Sequence, residues 1–251
     1  MTDVRKRTLD VTSDDLSLAL SIALPERARG VVVLMHGIPS ITLPEPGDTG
    51  YPGWAGEWAK RGWIAAAGDM RAARDAPGYF SIEGWVRDCA AMVAAARSLP
   101  EADGLPLGLV GSSAGGCVSA VAVGRGAPVD ALALLGAPAA WVSFAGDGWA
   151  GVKRITEEAG MAVAPEVAED PASWAAEFET VTTTDAIARV GVPTLIMHGS
   201  ADDVVPVEHA RLIAEQAPEA EVIILEGGPH VLRRERSATG PLYDWMESVL
   251  S

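Results

Sequence analysis

The chain has little of what several large classes of protein are built from. Its two cysteines, Cys89 and Cys117, are too few for a disulfide framework and lack metal-ligand spacing. Both fall in predicted helices and are expected to be reduced core residues. No apolar run approaches the roughly 20 residues needed to cross a bilayer. The N-terminal Arg5-Lys6-Arg7 leads into alternating residues, not into the hydrophobic stretch of a signal peptide. Positive charge is scarce: 19 Lys and Arg stand against 34 Asp and Glu, a formal net charge of −15. Such a surface repels phosphate backbones and anionic membranes, so no nucleic-acid or membrane partner is expected. A small-molecule substrate and a cytoplasmic location are the expectations that remain. The four histidines form no H-x-H or H-E-x-x-H pair, and no metal or other cofactor is expected. The sequence carries no signal for oligomeric state.

What is present suits one large α/β domain, residues 1–251. Hydrophobic residues make up 49% of the chain, enough to cover both faces of a sheet. Val4 to Val11 and Leu16 to Leu24 alternate around Ser13-Asp14-Asp15, which predicts an edge hairpin. Continuous apolar runs at Val31 to Met35, Trp63 to Ala67, Leu107 to Val110, Ala131 to Leu135, Thr194 to Met197 and Val222 to Leu225 predict strands buried on both faces. Helical stretches lie between most of them, at Trp54 to Arg61, Ile82 to Leu99 and Val207 to Gln216. This alternation specifies a doubly wound, mostly parallel sheet. Right-handed crossovers then gather the C-terminal ends of the parallel strands at one edge.

Residues 139–184 break the pattern, being too long for a simple crossover and without a clear strand. They hold Trp141, Phe144, Trp149, Trp174 and Phe178, in a chain with only 6% aromatic residues. Segments of this length are usually lids or binding elements. A small helical cap is expected here, with Trp141, Phe144, Trp149 and Trp174 lining a substrate pocket.

Gly111-Ser112-Ser113-Ala114-Gly115 follows the apolar run Leu105 to Val110 and precedes the small-residue stretch Gly116 to Ala120. A strand, a sharp turn and a helix with a serine at the apex result, and the flanking glycines let neighbouring backbone pass without a Cβ in the way. Other polar groups sit just past predicted strands: His36-Gly37, Asp202 and His230. In that order the sequence resembles the α/β-hydrolase superfamily, from about Val31 to Leu232, whose triad runs serine, acid, histidine along the chain.

The resemblance implies a role for each candidate. Ser113, with glycines two residues away on both sides, is the implied nucleophile, and Ser112 is excluded by register. His198-Gly199-Ser200-Ala201-Asp202-Asp203-Val204-Val205-Pro206 is similar to the superfamily's H-G-x-x-D-x-x-V-P and puts Asp202 in the acid role. Asp203 is the alternative, or a cap for the helix near Val207. Gly227-Gly228-Pro229-His230 is similar to the G-x-x-H loop and makes His230 the base. The backbone N–H groups of Ile38 and Ala114 are the implied oxyanion donors. His36 and His198 read as turn residues, and His209 as a solvated helix residue.

These residues predict a serine carboxylesterase acting on a small to medium, apolar acyl group, active once the histidine is neutral at about pH 6 to 7. A peptidase, thioesterase or lactone hydrolase would use the same triad, and a ligand-binding protein that kept the fold without catalysis is the alternative of another class. Serine at position 113 argues against close similarity to dienelactone hydrolases, and the want of an N-terminal propeller-like domain argues against a prolyl-oligopeptidase type. One departure stands out. Where the superfamily often has D-x-R-G-x-G-x-S, this chain has Asp69-Met70-Arg71-Ala72-Ala73-Arg74-Asp75-Ala76. Arg71 and Arg74 are then candidates to hold a substrate carboxylate, or to pair with Asp69, Asp75 or Asp88.

Overall fold

The computed structural model describes residues 4–39, 47–141 and 149–251. Arg5–Ser13 (β1) and Leu16–Leu24 (β2) pair antiparallel through a tight turn at Asp14, whose φ is 50°. The parallel strands are Gly30–Met35 (β3), Trp63–Gly68 (β4), Leu107–Ser112 (β5), Ala131–Leu135 (β6), Thr194–Gly199 (β7) and Glu221–Leu225 (β8). They form one sheet in the order β1-β2-β4-β3-β5-β6-β7-β8, with the hairpin joined antiparallel to β4. This is the α/β-hydrolase fold.

The period-2 rule divides the core in two. On one face Val31, Val33, Met35, Leu109 and Leu134 pack under Ile82–Arg97 (α2) and Ala114–Gly124 (α3). On the other, Val32, Leu34, Val110 and Leu135 pack with Gly50–Lys60 (α1) and Arg236–Leu250 (α8). Being covered on both faces, β3, β5 and β6 tolerate continuous apolar sequence. β8 departs from expectation. It is the edge strand, and Val222 and Ile224 remain exposed rather than buried on both faces.

Helix ends follow local chemistry. Ser81 caps α2 by accepting from the Gly84 N–H at 2.9 Å. α1 starts ahead of the expected Trp54, at Gly50, whose φ is 64°. Between β6 and β7 stand Trp149–Glu158 (α4), Pro171–Thr180 (α5) and Thr183–Ile187 (α6), with Glu208–Gln216 (α7) after β7. The two ends of the stretch between β6 and β7 meet, since the Ala139 carbonyl accepts from both Thr183 and Thr184 N–H, at 3.1 and 3.3 Å. Cys89 and Cys117 are buried and free, and burial pushes their thiols up to about 12 and about 11. Among the described residues no helix is long and apolar enough to cross a membrane.

Candidate active site

Ser113 sits between the last residue of β5 and the first of α3 with φ 53° and ψ −126°, a conformation that costs an L-residue about 1–3 kcal/mol. The surroundings hold it there. Its N–H donates to the Leu135 carbonyl at 2.8 Å, and its own carbonyl accepts from Gly116 at 2.8 Å. Glycine is needed on both sides because backbone crosses backbone. A Cβ at Gly111 would lie 2.4 Å from the Gly115 carbonyl oxygen.

The end of β3 is pressed against this turn. A Cβ at Gly37 would stand 2.8 Å from the Ser113 Cβ and 3.2 Å from its Oγ. Ile38, next in the chain, therefore lines the same cleft as Ser113. Ala114 opens α3, where main-chain N–H groups have no partner within the helix and the helix dipole favours negative charge.

Asp202 and His230 come from the loops after β7 and β8. Asp202 Oδ1 accepts from the N–H groups of Val204 and Val205, at 2.9 and 2.8 Å. Its Oδ2 lies 2.7 Å from His230 Nδ1 and 3.2 Å from His198 Nε2. Burial alone would raise the Asp202 carboxyl, but hydrogen bonds from His198 and His230 outweigh it and hold the group well below the usual carboxylate range. Gly136, just past β6, backs onto this pair, for a Cβ there would be 3.4 Å from both Asp202 Oδ2 and His230 Nδ1. Leu135 and Gly136 thus carry the serine turn on one side and the carboxylate–imidazole pair on the other. Ser113 and His230 line one cleft of about 140 Å³.

The other candidates fall elsewhere. Asp203 is exposed and does not cap α7, whose N-cap is Val207 without a side-chain bond. His209 is not solvated as expected. It is buried, and its Nδ1 accepts from the Ala139 N–H at 2.9 Å, fixing the root of the stretch between β6 and β7. His36 and His198 are buried polar anchors, not simple turn residues. His36 Nδ1 donates to the Gly37 carbonyl at 2.6 Å and Nε2 accepts from the Met70 N–H at 3.0 Å, which fixes the tautomer; burial, aided by Arg74, pushes its pKa down to about 4.

Arg71 is tied to the buried Asp88 at 2.7 Å and to Asp14 at 2.8 Å, so it takes the ion-pair alternative. Arg74 pairs with Asp69 at the cleft wall. Trp141 and Trp174 do not reach the cleft. Their indole N–H groups donate to the carbonyls of Val181 (2.9 Å) and Phe80 (3.2 Å), and both rings are buried in the core. The expectation that they line the pocket is corrected: an aromatic-rich segment packed on a sheet protein spends its rings on its own attachment. Phe144 and the side chain of Trp149 lie outside the described residues.

The wall of the cleft holds residues that sequence reasoning missed. Tyr51 lines it, and the Arg233 guanidinium stands 5.3 Å from the Tyr51 ring while Asp48 binds it bidentately at 2.6 Å. Only the nearness of Arg233 to His230 in the chain signalled this. Among the described residues no cluster of His, Cys, Asp and Glu is arranged to hold a metal ion.

Comparison with known proteins agrees with this architecture. The sequence matches the model of the prolyl oligopeptidase family over residues 83–251. An esterase of Pyrococcus furiosus superposes with a TM-score of 0.69 at 18% identity, covering 98% of this chain and 92% of that one. An acylaminoacyl peptidase of Pyrococcus horikoshii superposes with a TM-score of 0.73 at 17% identity, covering 100% of this chain and 42% of that one. At such identities the likeness is one of fold. A putative non-heme chloroperoxidase of a Synechocystis species is 36% identical over 61 residues, a match that spans 24% of this chain and 20% of the relative.

Proposed function

The chain belongs to the prolyl oligopeptidase family, as a hydrolase of the α/β-hydrolase superfamily, and on that premise we propose that it cleaves carboxylic esters through an acyl-serine intermediate. The match rests on residues 83–251 alone, which corrects the expectation drawn from the want of a propeller. The observation that carries the proposal is the 2.7 Å contact of His230 Nδ1 with a carboxylate whose other oxygen is already filled by two backbone N–H groups.

Asp202 fixes the His230 tautomer so that Nε2 carries the lone pair. His230 removes the Ser113 proton as Oγ attacks the ester carbon, and the carbonyl oxygen becomes an oxyanion. The N–H groups of Ile38 and Ala114 stabilise that charge, each by about 2.7–4 kcal/mol. As the tetrahedral species collapses, His230 gives its proton to the departing alkoxide. Water then repeats the sequence on the acyl-serine and frees the acid, with Ser113 restored. Asp202 remains a carboxylate throughout.

The cleft supports a small acyl group. Its 140 Å³ is below the roughly 300–1,000 Å³ usual for ligand pockets, and Ile38, Pro39, Val231 and Leu232 give it apolar walls. The expected cap, residues 139–184, includes residues 142–148, which lie outside the described residues; its described helices, α4, α5 and α6, with the stretch tied at its two ends through the Ala139 carbonyl, support reading it as a cap anchored beside this site. The family match favours a second reading, a peptidase with the same residues.

A fluorophosphonate probe and a substrate panel test both. Labelling at Ser113, lost in Ser113→Ala, with kcat/KM highest on short p-nitrophenyl esters, is the expected result. Higher kcat/KM on aminoacyl anilides selects the peptidase, and thioesters or lactones in the same panel address the remaining acyl transfers. An unlabelled Ser113 in a folded protein that binds ester analogues without turnover would leave a binding protein.

A further inference from the structure

The acid of the site has a second imidazole. His198 lies in β7, its side chain 1% exposed, with Nε2 at 2.8 Å from the Val205 carbonyl oxygen and 3.2 Å from Asp202 Oδ2. Both neighbours of Nε2 are acceptors, so the proton is on Nε2 and is shared between them. Among the described residues His198 Nδ1 is buried without a hydrogen-bond partner.

We propose that His198 is a positioning residue for catalysis: by donating Nε2–H to Asp202 Oδ2 it fixes the carboxylate's rotation and sets how much negative charge faces His230. The proposal rests on Ser113, His230 and Asp202 acting as described above. The four contacts on Asp202 then divide evenly, two main-chain donors on Oδ1 and two imidazoles on Oδ2. Each donor on Oδ2 weakens the oxygen as an acceptor for the other. His198 therefore tempers the hold of Asp202 on the imidazolium that forms at His230 during attack. The titratable groups facing His198 are Asp202 and His230 from the loops and His209 from α7; Glu208 beside it and Asp203 are exposed.

Removal of the donor has two consequences that loss of packing alone does not. Oδ2 keeps His230 as its single imidazole partner and binds the imidazolium more tightly, so the acid limb of kcat/KM moves to higher pH. The carboxylate, held on one oxygen by main chain and on the other by His230 only, rotates more freely, so kcat falls while substrate binding is untouched.

The test compares His198→Phe, which removes the donor, with His198→Gln, whose amide can present an N–H at the place of Nε2. For His198→Phe the expected result is a kcat about tenfold lower, an unchanged KM, and an acid limb raised by about one pH unit. His198→Gln should return the limb toward its original position. A folded His198→Phe with limb and kcat unmoved overturns the proposal. Nitrogen-15 NMR of the histidines in the unmodified protein gives an answer even if the variants do not fold: an Nε2–H tautomer of His198 is expected, and an Nδ1–H tautomer overturns the proposal. Fluorophosphonate labelling of the unmodified protein separates the two readings. A labelled Ser113 with an unmoved limb removes the positioning role alone, whereas an unlabelled Ser113 removes the catalytic reading beneath it.

Discussion

A methyl group on Gly115 would stand 2.3 Å from the carbonyl oxygen of His36. The serine turn and the end of β3 are thus joined by backbone contact, and the distance between the proposed nucleophile and the proposed oxyanion donors is set by an absent side chain. Gly115→Ala must push the two apart. We expect a loss of about 1–3 kcal/mol in stability together with a lowered kcat. Gly56→Ala, in α1 with open space around it, is the control. It should raise stability by about 0.5–1 kcal/mol and leave kcat alone. Equal behaviour of the two variants in thermal melts and ester kinetics would show that the contact does not constrain the site.

The acid assignment separates two neighbouring residues. Asp202→Asn removes the carboxylate that orients His230 and should lower kcat by about 10⁴ with KM little changed. Asp203→Asn alters an exposed side chain that does not cap α7, and its kinetics should match those of the unmodified protein. A large loss in Asp203→Asn would move the acid role by one position.

Much of this site was legible because its signals are local. Gly111, Ser113 and Gly115 encode a crossing of backbone within five residues, and the apolar runs of β3, β5 and β6 encode burial on both faces. Contacts that join distant segments were not legible. The bond between Ala139 and His209, the pair Asp48–Arg233 and the place of His198 on Asp202 each depend on how loops lie at one rim. Composition misled in the segment between β6 and β7. Aromatic enrichment suggested a ligand pocket, but it says nothing of whether a ring faces ligand or core, and the indole N–H groups of Trp141 and Trp174 are satisfied inside. β8 misled for the opposite reason, since apolar sequence at a sheet edge need not be covered.

Trp174 provides the test of that correction. Its ring packs at 4.7 Å from Phe178 and 6.3 Å from Phe80, with 6% of its surface exposed. Trp174→Ala should cost about 3–5 kcal/mol, the scale of deleting a large core ring, read by urea unfolding. At temperatures where the variant is folded its KM for short esters should be unchanged. A raised KM with little loss of stability would return Trp174 to the substrate pocket.

Acid stability should depend on His36. Its ring is buried and neutral, donating from Nδ1 to Gly37 and accepting at Nε2 from Met70, and protonation would set two donors face to face at Nε2. The folded pKa of about 4 lies below the value of about 6.5 for an unfolded histidine. Between those values the unfolded chain takes up a proton that the folded protein refuses, so stability rises with pH across the window. The contribution is complete above about pH 6.5 and is lost as pH falls toward 4, up to about 3 kcal/mol. Other groups titrate in acid as well, and the comparison with His36→Gln removes them. Urea unfolding at pH 7 and pH 4.5 should show the unmodified protein losing about 2–3 kcal/mol more than His36→Gln. Equal losses would mean that the proton is taken up elsewhere, and that the contact between His36 and Met70 withstands a charged ring.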